Sequence, residues 1–295
     1  MSISLNTNTQ STATIDEKWD QDVHEAVYET AEIVPRVANK SDLVKNSGDI
    51  INVTVDARVA VQTVGSDGSF NITQTTPESI VLTIDQWKLT QRGTTDRAEA
   101  QSFWDINSTF PKVGGQAKAE DMDSAVAALY SGLSLTPVGT ESDRVTFGKD
   151  AAASALLRIG KSIKGKIKNL NNLTFVLPYE AVFSGLLQET DFTDASMIGG
   201  GAVSPLKSGK LGMSVLGIPI AMTTLTSLVS GNCYKGMLIH REAFAIGIQL
   251  NNSYERFSLK PGGYAGKAVT MEWLYGVKTI RADHGVVINI NAVSN

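Results

Sequence analysis

Residues 55–89 set the terms for any fold of this chain. Two strand-like segments, 59–64 and 70–75, flank Gly65-Ser66-Asp67-Gly68, whose residue types supply hairpin-turn chemistry. Residues 79–89 continue in an extended pattern. The turn Ser47-Gly48-Asp49 and the β-branched run 50–55 lead into this stretch. It holds few residues able to build a core of their own, and an isolated two-stranded ribbon is marginal in water. Such an arm needs a surface to lie on. That surface is either its own domain or the next copy of the chain.

The rest of the sequence supplies a body for the arm. The chain has 295 residues, of which 42% are apolar. A chain of that length buries roughly 75% of the surface its unfolded form exposes, in one large core or two smaller ones, without a disulfide or metal staple. Residues 1–15 are small and polar and read as a mobile arm that cannot offset its own ordering entropy. Asp16 caps an expected helix over 16–34, whose Trp19, Val23, Val27 and Ala31 form one stripe and which Pro35 ends. A short helix is expected over 97–106. A longer one is expected over 117–133, introduced by Gly114-Gly115 and followed by Pro137. On it Met122, Val126, Leu129 and Leu133 share a face, with Lys118, Glu120, Asp121 and Asp123 mostly away from it. Another helix is expected over 149–163. Strand 173–177 precedes a helix over 179–187, which Pro178 opens. A turn at 208–212, a strand pair over 213–223, a strand over 235–249 broken at His240-Arg241-Glu242, and strands over 269–281 and 286–290 complete an α+β chain. No repeat recurs at a fixed period.

Charge and cysteine usage exclude several classes. The net charge is −4, from 26 basic and 30 acidic residues, whereas a protein that lives by gripping phosphate carries a basic excess. Charged residues make up only 19%, so much of the surface is Ser, Thr, Asn and Gln. These cost less to desolvate than charges, which suits a surface covered by partners. Cys233 is the single cysteine, so neither an internal disulfide nor a paired-cysteine metal knuckle can form. No stretch approaches the ~20 apolar residues of a membrane span.

Each candidate chemical motif has a plainer reading. Residues 155–162 end in Gly160-Lys161-Ser162 and fit a loose phosphate-loop pattern with Ala155 in place of the first glycine. That chemistry needs a flexible loop after a strand. Here the preceding residues are helix-forming and the would-be loop is Leu-Leu-Arg-Ile, so a Gly-Lys-Ser at a helix end is expected. Gly199-Gly200-Gly201 lacks the strand–glycine loop–helix setting of dinucleotide sites. Asp191 and Asp194 are too few for a calcium loop. His24, His240 and His284 lie far apart in the chain and show no zinc spacing. Cys233 has no orienting base nearby in sequence. No catalytic constellation emerges, and no cofactor or metal is expected.

Several segments, taken in order, resemble tailed-phage major capsid proteins, whose fold is shared with encapsulins and herpesvirus shells. They are the polar N-terminal arm and first helix; Val37-Ala38-Asn39-Lys40-Ser41-Asp42 leading to Ser47-Gly48-Asp49-Ile50-Ile51-Asn52-Val53; the β-arm; the helix over 117–133; the segment 173–187; Leu216-Gly217-Ile218-Pro219-Ile220; and Met271-Glu272-Trp273-Leu274-Tyr275-Gly276-Val277-Lys278 followed by Arg281 and Val286-Val287-Ile288. The resemblance spans roughly residues 16–292.

The resemblance implies an α+β phage major-capsid fold: an N-terminal arm and helix (1–46), a strand and extended β-hairpin arm, the E-loop (47–96), a peripheral domain with a spine helix (97–172), an axial domain (173–268) and closing strands of the peripheral domain (269–295). It implies hexamers and pentamers of one chain, forming a virion shell in the host bacterial cytoplasm. That shell encloses double-stranded DNA without sequence-specific binding. With only about fifteen residues before the first helix, either a separate scaffolding protein or earlier removal of an N-terminal scaffolding region is expected, together with a portal. Candidate assembly contacts are Trp19, Gly65, Asp67, Gly68, Phe70 and Trp87. The rival readings are an encapsulin-type cargo shell, a nucleotide-binding enzyme using Gly160-Lys161-Ser162, and a tail-tube protein.

Overall fold

The computed structural model describes residues 22–23, 25–27, 31–44, 50–55, 61–64, 66, 68–69, 78–101, 106–163, 172–184, 214–223, 229–230, 233–260 and 263–291. The expected turn at 208–212, strand 70–75, the loop with Asp191, Asp194 and Gly199 to Gly201, and His24 lie outside them.

Two sheets organise the fold. In the six-stranded sheet, β12 (Gly285–Asn291), β9 (Cys233–His240), β5 (Leu173–Pro178), β7 (Ile218–Thr223) and β6 (Ser214–Val215) follow one another, and β8 (Val229–Ser230) pairs with β9. The four-stranded sheet runs β1 (Ala38–Asn39), β10 (Phe244–Ser258), β11 (Gly266–Thr279) and β4 (Gln86–Thr95). The expected strand 235–249 is therefore two strands. The break at His240-Arg241-Glu242 is where the chain leaves one sheet for the other, and 280–284 carries it back.

Side-chain alternation explains why β5 is a continuous apolar run. Phe175 and Leu177 face a core shared with Leu238, Ile288 and the helix α3 (Lys149–Ser162), where Phe147 meets Phe175 edge-to-face at 5.6 Å. Val176 points the other way, into a second core with Met237, Ile239, Met271, Trp273 and Met122. A strand with a core on each face has no solvent side to alternate toward. The β6–β7 hairpin turns through Leu216 and Gly217, at φ +55° and +76°, the left-handed pair that a tight two-residue hairpin needs.

The long helix differs from its expected bounds. α1 (Asp96–Gln101) matches the start of the short helix, but α2 (Ile106–Ala127) begins eleven residues before 117 and ends in a 3₁₀ turn, Ala128–Gly132. It runs through Gly114 and Gly115, read as introducing the helix, and through Pro111. Packing overrides propensity here: a Cβ on Gly115 would sit 2.8 Å from the Cβ of Ala26 and 2.9 Å from the carbonyl of Val23. The absent side chain lets the helical residues Val23 and Ala26 lie against α2. That first helix is over by Ala31, before Pro35, which sits inside the 3₁₀ turn Val34–Arg36. α4 (Tyr179–Ser184) opens directly after Pro178, the last residue of β5.

Candidate assembly surfaces

The arm root is a two-stranded sheet of β2 (Ile50–Val55) and β3 (Glu78–Thr83), paired antiparallel with Ile51 opposite Leu82. Its alternation is strict: Ile51, Val53 and Leu82 are buried and, with Ile84, form a small core of their own, flanked by Val44, Leu274 and Ile280. The seat beneath it is cut by two glycines. Gly247 on β10 and Gly276 on β11 are direct cross-strand partners. A Cβ on Gly276 would lie 2.0 Å from the Thr83 carbonyl, and one on Gly247 would lie 2.8 Å from Ile51 and 2.9 Å from Leu82. The pair makes a notch in the four-stranded sheet that admits the ribbon.

Beyond the root, Val61 to Val64 belong to no strand, so the expected strand 59–64 is not formed over its described residues, and Val61 and Val64 are exposed. The arm is also shorter than 55–89. From Gln86 onward β4 belongs to the body, paired with β11 from Tyr275 to Gly266.

Register divides the four-stranded sheet into two faces. Trp273, Tyr275 and Met271 face α2. Asp121 accepts from Trp273 Nε1 at 3.2 Å and from the Tyr275 hydroxyl at 2.8 Å, and Lys88 lies 3.9 Å from its carboxylate. Burial first, and then the bond to Asp121, pushes the Tyr275 hydroxyl well above its usual range. On the opposite face stand Trp87, Leu89 and Phe257, all exposed, with Glu272 between them; Trp87 is 70% exposed and its Nε1 donates to Glu272 at 3.3 Å. The arm root covers this face only at its Gly247–Gly276 end.

Two charged residues read as lying away from the apolar stripe of α2 are instead buried: Lys118 and Asp123. Asp123 accepts the backbone N–H groups of Glu32 (2.7 Å), Ile33 (3.1 Å) and Val34 (2.8 Å). This clasp stops the first helix and docks residues 31–37 on α2. Burial pushes the Asp123 carboxyl above its usual range, and the three N–H donors pull it back.

Of the six candidate contacts, Trp19, Gly65, Asp67 and Phe70 lie outside the described residues. Gly68 has φ +78° with open space where a Cβ would be, and Trp87 is the exposed residue above. The sequence reading missed Leu89, Phe257 and the glycine notch. A tryptophan and a leucine at alternate positions of one strand were the available signal for the first.

The motifs of chemical interest resolve as structure. Gly160, Lys161 and Ser162 form the last turn of α3, not a loop after a strand, so the phosphate-loop geometry is absent there. Cys233 is buried, its Sγ 3.7 Å from Asn289 Oδ1. Lys235, on β9, donates to Asn289 Oδ1 at 2.8 Å and Glu141 Oε1 at 2.6 Å, and Asn289 donates to the Gly139 carbonyl at 3.0 Å. The bond to Lys235 holds the Glu141 carboxyl below its usual range. This set pins the segment 138–145 along β12, where Val138 and Val145 pair with Ile288 and Ile290. His240 and His284, far apart in sequence, meet with ring centroids 5.7 Å apart. Among the described residues no three His, Cys, Asp or Glu side chains gather to hold a metal ion, and no helix is long and apolar enough to cross a membrane.

A two-sheet body with a long helix across one sheet and a hairpin arm standing off it is the fold of phage major capsid proteins, and this chain has that fold. Among the solved structures it matches is a chain of the capsid of Ralstonia phage GP4, with a TM-score of 0.68 at 11% identity over 88% of each chain. A chain of Mycobacterium phage Che8 matches with a TM-score of 0.66 at 20% identity, covering 86% of this chain and 89% of that one. A virus-like particle from Pyrococcus furiosus matches with a TM-score of 0.56 at 10% identity, over 92% and 98%. No family model and no curated protein matches the sequence.

Proposed function

We propose that this chain is the structural subunit of an icosahedral phage shell, built from hexamers and pentamers that enclose double-stranded DNA. The observation that carries it is the arm. Its root rests on the body through four buried side chains and a glycine notch, beside an open sheet face bearing Trp87, Leu89 and Phe257. An arm with so little core of its own and a sheet face with exposed apolar side chains complement each other between copies. Many modest contacts per subunit then add up through multivalency. In this reading the six-stranded sheet with α3 and α4 is the axial domain. The four-stranded sheet with α2 as spine helix is the peripheral domain, and residues 47–96 hold the E-loop. β11 then closes the peripheral sheet and β12 the axial one. The role is structural rather than catalytic, which the capsid identity of the matched structures supports. A separate scaffolding protein and a portal are the proposed partners, and the virion the proposed location.

Negative-stain electron microscopy of the purified chain, alone and coexpressed with its neighbouring genes, tests this. Closed shells or hexameric and pentameric rings are expected. Open tubes or a uniform monomer under every condition would overturn the reading. The match to a virus-like particle favours one alternative, a cargo shell, for which the same particles would contain a protein and no DNA. Deleting residues 65–69 at the arm tip is expected to leave a folded monomer that no longer closes shells.

A further inference from the structure

The two short crossovers between the sheets, β9 to β10 and β11 to β12, are stitched to one another. Ala243 N–H donates to the His240 carbonyl at 2.8 Å, and the Ala243 carbonyl accepts from both Ile280 (2.8 Å) and Arg281 (3.1 Å). His284 N–H closes back on the Arg281 carbonyl at 3.1 Å, and the Arg281 side chain lies 3.7 Å from the Glu242 carboxylate. One imidazole comes from each crossover. His240 stands at the end of β9 and His284 just before β12, their rings edge-to-face at 5.7 Å. The hydrogen bonds assign their tautomers. His240 Nδ1 accepts the Glu242 backbone N–H at 3.3 Å, which leaves its proton on Nε2. His284 Nδ1 lies 2.8 Å from Asp283 Oδ1 and donates to it. A proton added to His240 would set an N–H against the Glu242 N–H and a cation beside His284 and Arg281.

We infer that the His240–His284 contact makes the joint between the two sheets acid-sensitive, tight while His240 is neutral and loosened when it is protonated. Burial, with lesser help from His284 and Arg281, holds His240 below its ordinary value, against the pull of Glu242. A histidine depressed on folding contributes stability that is present above its unfolded value and lost as pH falls below it. The window therefore opens near pH 6.5 and extends downward. The other charged groups at the joint are Asp283 beside His284, Arg241 in the turn, and Lys40, which shares a small cavity with Glu242 and Arg281. α3 packs against the 282–284 turn and carries Lys149, Asp150, Arg158 and Lys161. Arg158 donates to the Thr136 and Pro137 carbonyls.

Hydrogen-exchange mass spectrometry of the full chain, corrected for intrinsic rates, tests the joint between about pH 7.5 and about pH 5. Protection over 239–246 and 279–286 is expected to fall several-fold on acidification, with β5 and α2 unchanged. His240→Asn keeps an acceptor toward the Glu242 N–H and cannot take a proton, so its protection is expected to stay level. His284→Gln removes the neighbouring imidazole and is expected to shift the wild-type transition toward higher pH. Equal pH dependence in the wild type and His240→Asn, or no local change in the wild type, overturns the inference. So does a His240 imidazole that titrates at or above its ordinary value by NMR. None of these readouts depends on shell assembly, so the shell reading stands or falls separately.

Discussion

Asp123 shows how one residue settles a boundary that local sequence cannot. Its carboxylate takes three consecutive backbone N–H groups from residues 89 to 91 positions away, and the helix ahead of them stops. Asp123→Ala would strand those donors in a half-buried site. It is expected to lower the unfolding free energy by about 2–3 kcal/mol, since an unsatisfied buried polar group costs roughly 1–3 kcal/mol and relaxation recovers part of a triple loss. Urea denaturation monitored by circular dichroism checks this. Trp87 is the opposite kind of residue, large, apolar and exposed. Trp87→Ser is expected to change monomer stability by no more than about 0.5 kcal/mol, because surface substitutions away from the core cost little. Shell yield by sedimentation is nevertheless expected to collapse. A large stability loss with normal shells would place Trp87 in the fold rather than in assembly.

At the scale of elements, the arm root depends on two missing side chains. Gly247 and Gly276 sit mid-strand, where glycine weakens a sheet, and their value lies in the close approach of Thr83, Ile51 and Leu82. Gly276→Ala puts a methyl group into a backbone carbonyl. It is expected to cost about 1–3 kcal/mol, as overpacking does, and to expose β2 and β3 to exchange while β5 and β9 stay protected. Uniform loss of protection would mean that the ribbon is part of the central core and not a separately seated arm. α2 follows the same logic. Gly114 and Gly115 read locally as a helix start, yet the helix continues through them because they face Met271, Val23 and Ala26.

At the scale of the molecule, the sheets share one core between them and a second core lies outside the six-stranded sheet. β9–β10 and β11–β12 cross between them through the short segments 241–243 and 280–284, and β4 connects to β5 by the longer segment 96–172. The arm stands apart from both cores, with four buried residues of its own. A chain made this way has two packed cores in its body and, among the described residues, a separate small core under the ribbon of β2 and β3.

Local pattern alone determined a good part of this protein. The apolar runs of β5, β7, β9, β11 and β12, the helix α3 and its Gly-Lys-Ser end, and an arm too poor in apolar residues to stand alone are all consequences of short-range periodicity and composition. The tertiary structure decided the rest: that 235–249 is two strands in two sheets, that α2 starts at Ile106, that Lys118 and Asp123 are inside, and that two distant histidines touch. Periodicity says which side chains share a face. What covers that face is a contact between residues far apart in the chain, and no local pattern encodes it.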